Sequence, residues 1–246
     1  MAASTERGAI VLTAAVTPDK RYGVSLADPV IRLRQYESAI NHWWTIAQNR
    51  HLALCVVETT GFDLASGADV PQGVRLIEHR PSSSASDNGK GAVEAEALDR
   101  AVDALILSNP QLTGIYKVTG RLRLANPQDV FGSEYMASLR VRRTLDRAFC
   151  DTRFIQVPVT IWREFLTQMG DEVRDEQGRF LEHVLARRLV DAEYAGFSVD
   201  RFARRPVLIG QSGTSAKMYG KTSLNSTQMM ATLERNMRRI AHHKQV

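Results

Sequence analysis

The stretch G-I-Y-K-V-T-G-R-L-R-L-A-N, residues 114–126, decides the fold class that we predict for this chain. Its apolar residues predict a strand, and the Asn-Pro pairs at 109–110 and 126–127 predict turns on either side. Lys117, Thr119 and Arg121 would share one face of that strand, because side chains alternate between its two faces. Charged groups are seldom buried without a partner, so this polar face needs an explanation.

Two interpretations of this polar face are open. In the first, the strand is half exposed and turns its cations to water. In the second, Lys117 and Arg121 bind an anion such as a diphosphate, and Gly120 lets that group come close to the backbone. The residues of the stretch support both interpretations equally.

Apolar runs and amphipathic stretches alternate along the rest of the chain. The predicted strands are at residues 9–16, 51–58, 74–78, 114–126, 150–155 and 206–210. The predicted helices are at residues 28–47, 92–107, 133–149, 159–169, 180–189 and 227–243. This order predicts an α/β fold with a mostly parallel central sheet flanked by helices.

The length of 246 residues suits one large domain with an appendage. We place the domain at residues 1–222 and a basic amphipathic helix at residues 223–246. Two roles for this helix are open: it packs on the domain or in a homodimer, or it lies on an anionic membrane surface.

The bulk composition indicates an ordinary globular protein of the cytoplasm. No apolar run is long enough to cross a membrane, and the polar N-terminus lacks a signal-peptide pattern. Cys55 lies in an apolar run and Cys150 is distant in sequence, so we expect free thiols and no cysteine-based zinc site. The net charge of +5 permits an anionic partner without identifying it.

Polar residues follow the first two predicted strands. Thr13 and Thr17 belong to the first strand and its loop, and Glu58 and Thr60 to the second. Ligands of open α/β sheets, nucleotides among them, bind outside the carboxyl ends of the strands. We therefore predict that these residues contact a nucleotide-containing donor. An ordinary strand or turn role is equally open for the threonines.

The Ser/Gly/Asn-rich segment at 81–91 predicts a loop. It is either a plain linker or a loop that orders over a ligand, in which case Lys90 would bring positive charge to a phosphate.

Asp151, Arg153, Glu182 and His183 are the predicted catalytic residues. Cations stabilise a phosphate leaving group, while a carboxylate or histidine deprotonates an acceptor hydroxyl. The alternatives are structural roles: Asp151 and Arg153 form a simple salt bridge, and His183 is an ordinary helix histidine. Residues 151–153 hold one acid and so are not a D-x-D metal motif, and the sequence contains neither G-x-G-x-x-G nor a P-loop.

Several short segments, in this order, resemble a family of bacterial glycosyltransferases that build capsule or lipopolysaccharide O-chains. The segments are L-T-A-A-V-T-P (12–18), D-P-V-I-R-L-R-Q-Y-E-S-A-I (28–40), V-E-T-T-G-F-D-L (57–64), D-N-G-K-G-A-V-E-A-E (87–96), Y-K-V-T-G-R-L (116–122), C-D-T-R-F-I (150–155), F-L-E-H (180–183) and I-G-Q-S-G-T-S (209–215).

The resemblance implies a GT-A-like (Rossmann-like) domain, a nucleotide-sugar donor and a glycan or lipid-linked acceptor. It implies a donor site lined by Lys117, Thr119, Gly120 and Arg121. Asp151 and Arg153 would lie at the reaction centre, with Glu182 as the base. We expect cations to balance the leaving group without a metal, although a divalent metal cofactor is the alternative.

A basic nucleic-acid-binding α/β protein without sugar chemistry is the alternative function. The arginine-rich segments at 140–147 and 235–244 and a pI of about 9.4 motivate it. Aromatic residues do not interleave with these segments, however, and no nucleic-acid motif is present. We therefore expect no nucleic-acid partner. We place the protein in the cytoplasm, either free or in peripheral contact with the inner face of the cell membrane.

Overall fold

The computed structural model of the chain describes residues 7–19, 24–131, 136, 138–212 and 218–220. The helix predicted at 227–243 and the domain boundary at 222 lie outside these residues.

The strands of the described residues form two sheets. They are β1 (Gly8–Ala14), β2 (Ala53–Glu58), β3 (Arg75–Glu78), β4 (Gly114–Thr119), β5 (Arg123–Leu124), β6 (Leu139–Arg140), β7 (Phe154–Pro158), β8 (Val199–Asp200), β9 (Leu208–Gln211) and β10 (Met218–Tyr219). The central sheet has the order β3-β2-β1-β4-β7-β6-β8, and the small sheet has the order β10-β9-β5. Within the central sheet β7 runs against the other strands, so the predicted mostly parallel α/β sheet is confirmed.

Helices cover both faces of the central sheet. They are α1 (Pro29–Arg50), α2 (Leu64–Gly67), α3 (Ser83–Asn88), α4 (Lys90–Ser108), α5 (Pro127–Val130), α6 (Val159–Ile161) and α7 (Leu181–Tyr194). A π-helical turn at Trp162–Leu166 follows α6, where the sequence predicted a regular helix. Helix α1 begins as predicted. Asp28 is the N-cap residue and accepts hydrogen bonds from the Val30 and Ile31 N–H groups, and Pro29 occupies the first helical position.

Two hydrophobic cores lie on opposite faces of the sheet. Tyr36, Ile40 and Trp43 of α1 pack on one face, while Leu98 and Leu105 of α4 pack with α7 on the other. Burying one large apolar side chain contributes about 1.5–3 kcal/mol. The two helices are thereby fixed on opposite sides of the strand ends where β1 and β4 meet.

Residues 114–126 do not form the single strand that their apolar pattern predicted. Strand β4 ends at Thr119, where the Leu122 N–H donates to the Thr119 carbonyl (3.0 Å) and closes a turn. A Cβ atom on Gly120 would lie 2.5 Å from the Thr13 carbonyl oxygen, so only glycine fits beside β1 here. The group that approaches this glycine is therefore the protein's own backbone.

The turn places Arg121 on a different side of the sheet from Lys117, whereas strand alternation predicted a shared face. The Lys117 amino group contacts Glu94 of α4. The Arg121 guanidinium donates to Gln35 Oε1 of α1 (3.1 Å) and lies over the Tyr36 ring. The two cations consequently contact opposite walls of the sheet end.

The helix predicted at 133–149 is wrong wherever the structure describes it. Leu139 and Val141 are buried while the arginines that follow each of them are more exposed, which is the two-residue period of a strand. The loop predicted at 81–91 contains α3, which Ser82 caps by accepting from the Ala85 N–H (3.1 Å). Gly89, with φ of 114°, then separates α3 from α4.

Candidate functional site

A cleft of about 1330 Å³ opens above the carboxyl ends of β1, β2 and β4. Because β7 runs in the opposite direction, the segment that precedes it reaches the same edge of the sheet. The N-terminal turns of α4 and α7 complete the walls. This is where ligands bind in open α/β sheets.

Most of the predicted site residues line this cleft. Those that do so are Thr13, Thr17, Thr60, Lys90, Thr119, Arg121, Asp151, Arg153 and Glu182. The ones that do not line it are Glu58, Lys117, Gly120 and His183.

Glu58 supports the cleft from below and is buried. Its Oε1 accepts from the Val16 N–H (3.0 Å), and its Oε2 accepts from the N–H groups of Thr60 (2.7 Å) and Phe62 (3.0 Å). The carboxylate thus ties the loop after β1 to the loop after β2. Thr60 and Thr17 are joined above it by their hydroxyls, 2.9 Å apart.

His183 does not line the cleft, and it caps α7. Its Nδ1 accepts from the Phe180 N–H (3.2 Å), and its ring lies between those of Phe149 and Phe180. The predicted catalytic histidine is therefore placed as a helix-capping group.

Lys117 lies beneath the cleft floor, and its side chain is 1% exposed. Its Nζ is 2.6 Å from Glu94 Oε1 and also donates to the Thr152 carbonyl. The Thr13 hydroxyl donates to the same Glu94 oxygen (2.9 Å). The buried cation is paired, as its burial in a central strand requires.

Glu94 is the cleft carboxylate above this lysine. Burial alone would raise the pKa of Glu94, but the charge of Lys117, the hydrogen bonds from Lys117 and Thr13 and the charge of Lys90 outweigh it and lower the pKa. Glu94 is consequently held as an anion in the cleft wall.

Arg121 is a buried guanidinium that points into the cleft and is only 7% exposed. Its described partners are the neutral Gln35 side chain and the Tyr36 ring, and its Nε has no hydrogen-bond partner. Among the residues that the structure describes, no carboxylate pairs with it. Arg32 reaches the same tyrosine but is engaged by the carbonyls of Ala15 and Leu26.

Asp151 and Arg153 form a two-point ion pair at the edge of the cleft. Arg153 Nε donates to Asp151 Oδ1 (2.7 Å), its Nη2 contacts Oδ2, and Arg142 lies 3.7 Å from Oδ2. Burial would raise the pKa of Asp151, but the bonds and charge of Arg153, with the charge of Arg142, hold the pKa below its ordinary value. Arg153 also lies over the Tyr219 ring, 4.7 Å from its centre.

Glu182 enters the cleft from the first turn of α7. Its Oε1 accepts from the Thr152 hydroxyl (2.9 Å), and the Thr152 carbonyl accepts from Lys117. Glu94 and Glu182 are therefore linked through Lys117 and Thr152. A carboxylate in the first turn of a helix is stabilised by the helix dipole.

Sequence reasoning missed several cleft residues, and Glu94 is foremost among them. Its signal was the four-residue spacing from Lys90 on a helix, which places both side chains on one face. Arg142 and Arg201 reach the cleft because β6 pairs with β8, a contact between segments about sixty residues apart in the chain. No local pattern indicates such a pairing.

The cleft residues are a poor ligand set for a divalent metal. Among the described residues no three His, Cys, Asp or Glu side chains come together as a metal site requires. Of the carboxylates that line the cleft, Asp151 and Glu94 are bound to cationic side chains, and Glu182 accepts from the Thr152 hydroxyl. The turn after β4 carries the cation Arg121. We therefore derive no chemical step through a metal. In the described part of the chain, no helix combines the length and apolarity of a membrane span.

Comparison with known proteins shows the fold. No protein-family model and no curated protein match the sequence. The structure is similar to that of a Desulfovibrio desulfuricans G20 protein, provisionally described as a nucleotide-diphospho-sugar transferase, with a TM-score of 0.51, 10% identity and 80% of each chain covered. The predicted GT-A-like architecture is thereby confirmed.

A more distant likeness is to the catalytic domain of Drosophila β1,4-galactosyltransferase 7, solved with xylobiose. The match covers 90% of this chain and 73% of that one at 10% identity, with a TM-score of 0.44.

Proposed function

We propose that this chain is a glycosyltransferase that moves a sugar from a nucleotide-activated donor to a hydroxyl of a glycan or lipid-linked acceptor. The observation that carries the proposal is Arg121, a buried guanidinium without a carboxylate partner among the described residues, at the floor of a cleft above parallel strand ends. An unpaired buried charge costs several kcal/mol, and a bound anion removes that cost. The diphosphate of a nucleotide sugar is such an anion.

The remaining cleft residues suit the other parts of this reaction. Lys90, on the α4 wall, contributes positive charge to the leaving phosphate. The threonines at 17 and 60 offer hydroxyls near the nucleoside end, in the loops after β1 and β2. Asp151 holds Arg153 in a fixed orientation at the opposite end of the cleft, where an acceptor would enter.

The reaction exchanges one bond for another. The acceptor oxygen forms a bond to the anomeric carbon as the bond from that carbon to the phosphate oxygen breaks. Glu182 takes the proton of the acceptor hydroxyl, and the nucleoside phosphate leaves with the bonding electron pair. Arg121 and Lys90 balance the charge that develops on the leaving group.

The fold of the structural neighbour supports this assignment, since that protein carries a nucleotide-diphospho-sugar transferase description. Synthesis of bacterial cell-surface polysaccharide is the role we propose for the enzyme, and it rests on the ordered segments from residue 12 to residue 215 that resemble such transferases.

The experiment is a donor panel. The protein is incubated with UDP-, GDP-, dTDP- and CMP-linked sugars and simple glycosides, with and without Mn²⁺, and nucleotide release is measured. We expect release from one nucleotide class, at a rate that an acceptor glycoside increases. The proposal would be contradicted if the well-folded protein neither bound any of these nucleotide sugars nor released a nucleotide from one of them.

A further inference from the structure

We infer that Glu94 is a sugar-binding residue of the cleft, and that its Oε2 accepts a hydrogen bond from a hydroxyl of the sugar being transferred. The inference rests on the proposed function and extends it to a residue on the α4 wall.

The two oxygens of this carboxylate have different surroundings. Oε1 is 2.6 Å from Lys117 Nζ and accepts from the Thr13 hydroxyl at 2.9 Å. Within the described residues no group donates to Oε2, although the Glu94 side chain lines the cleft and is 28% exposed. One oxygen therefore fixes the side chain to the protein floor, and the other is left for a ligand.

The chemistry of the group selects the part of the donor that it binds. A carboxylate held as an anion by a buried lysine repels phosphate and accepts hydrogen bonds from hydroxyls. It is also a weak base, because the lysine stabilises its ionised form. Positioning a hydroxyl suits Glu94 better than proton transfer does, and proton transfer stays with Glu182.

The position of Glu94 fits the reacting sugar. Lys117 touches both Glu94 and the Thr152 carbonyl, and the Thr152 hydroxyl donates to Glu182. Arg121 contacts the opposite, α1 wall. A sugar attached to a diphosphate at Arg121 and facing Glu182 would pass beside Glu94.

The same helix offers a matched control. Glu96 lies two residues further along α4, accepts from the Ser82 hydroxyl (2.8 Å) and does not line the cleft. Replacing either glutamate with glutamine preserves its shape and one carbonyl acceptor. Glu94→Gln also removes the charge that pairs with the buried Lys117 and so lowers stability, and the titrations are therefore run under conditions in which urea denaturation shows every variant to be folded.

The experiment compares nucleotide sugars with the diphosphates they contain. Isothermal titration measures UDP-glucose against UDP, and GDP-mannose against GDP, on wild type, Glu94→Gln and Glu96→Gln. We expect Glu94→Gln to weaken binding of the accepted nucleotide sugar by about tenfold or more while leaving its diphosphate within about twofold. Glu96→Gln should match wild type for both ligands.

Each other outcome contradicts the inference. Equal losses for nucleotide sugar and diphosphate would place Glu94 at the nucleotide instead, and unchanged affinities would remove it from the binding site. Deoxy analogues of the accepted sugar sharpen the result: one of them should bind wild type as weakly as the parent sugar binds Glu94→Gln. Absence of any nucleotide binding by wild type would instead overturn the proposed function itself, and this inference with it.

Discussion

The amino group of Lys117 lies 2.6 Å from Glu94 Oε1, directly beneath the floor of the cleft. Lys117 shares its face of strand β4 with Ile115, which packs in the hydrophobic core that helix α4 covers. The ion pair lets a lysine occupy this position, and it orients the carboxylate that lines the cleft.

Replacing Lys117, the buried member of this ion pair, should destabilise the protein. We expect Lys117→Met to lower the free energy of unfolding by about 3 kcal/mol or more, because Glu94 and Thr152 lose their cationic partner. The double variant Lys117→Met/Glu94→Gln should recover part of the loss. Urea denaturation checks both, with the exposed Arg34→Met on α1 as a control expected within about 0.5 kcal/mol of wild type. Equal stability of Lys117→Met and wild type would contradict the structural role of the pair.

The catalytic assignment is tested at Glu182 and Asp151. We expect Glu182→Gln to lower kcat by about 10²–10⁴-fold with little change in donor affinity, because an amide cannot take up the acceptor proton. Asp151→Asn should lower kcat less, by about tenfold, because Arg153 loses its two-point charged partner. Asp191→Asn, at an exposed ion pair with Arg187 on the same helix as Glu182, is the control.

Steady-state kinetics with the accepted donor provide the measurement. Full activity in both Glu182→Gln and Asp151→Asn would show that the assignment is wrong, even with the enzyme class unchanged.

Asp99, on α4 away from the cleft, should make stability depend on pH. Burial raises the pKa of Asp99 from 3.8 to about 6, although its Oδ2 accepts from the Gln168 N–H at 2.9 Å. The folded state then holds a proton that the unfolded state has already released, so stability falls as the pH rises from about 4 to about 6. The slope from this group is at most about 1.4 kcal/mol per pH unit.

Urea denaturation between pH 4 and pH 7 tests this dependence. The stability of wild type relative to Asp99→Asn should decline over that range. A flat difference for Asp99→Asn would mean that the carboxyl has an ordinary pKa.

The sequence indicated the fold wherever a periodic apolar pattern was long. The stripes of α1 and α4 are buried as predicted, since Tyr36, Ile40, Ala101 and Leu105 each point into a core. The short strand β6 was taken for a helix, because two buried residues are too few to establish a period against neighbouring arginines.

The cleft was predicted in part, for a physical reason. Polar residues at the carboxyl ends of parallel strands must meet, and Thr13, Thr60 and Thr119 line one cleft at that edge. Which side of the sheet each cation contacts depended on the turn after β4, and Gly120 makes that turn by packing against β1. Local alternation could not reveal it.

Arg121 provides the most direct test of the central claim that the cleft binds a nucleotide sugar through its diphosphate. Isothermal titration with UDP, GDP, dTDP, CMP and their sugars, with and without Mn²⁺, is carried out on wild type, Arg121→Met and the exposed Arg123→Met. We predict that wild type and Arg123→Met bind one nucleotide class alike and that Arg121→Met binds it at least about 30-fold more weakly. The free energy of unfolding of Arg121→Met should stay unchanged or rise, because an unpaired buried charge is removed. Folded wild-type protein that binds none of these ligands, or Arg121→Met that keeps full affinity, would contradict the claim.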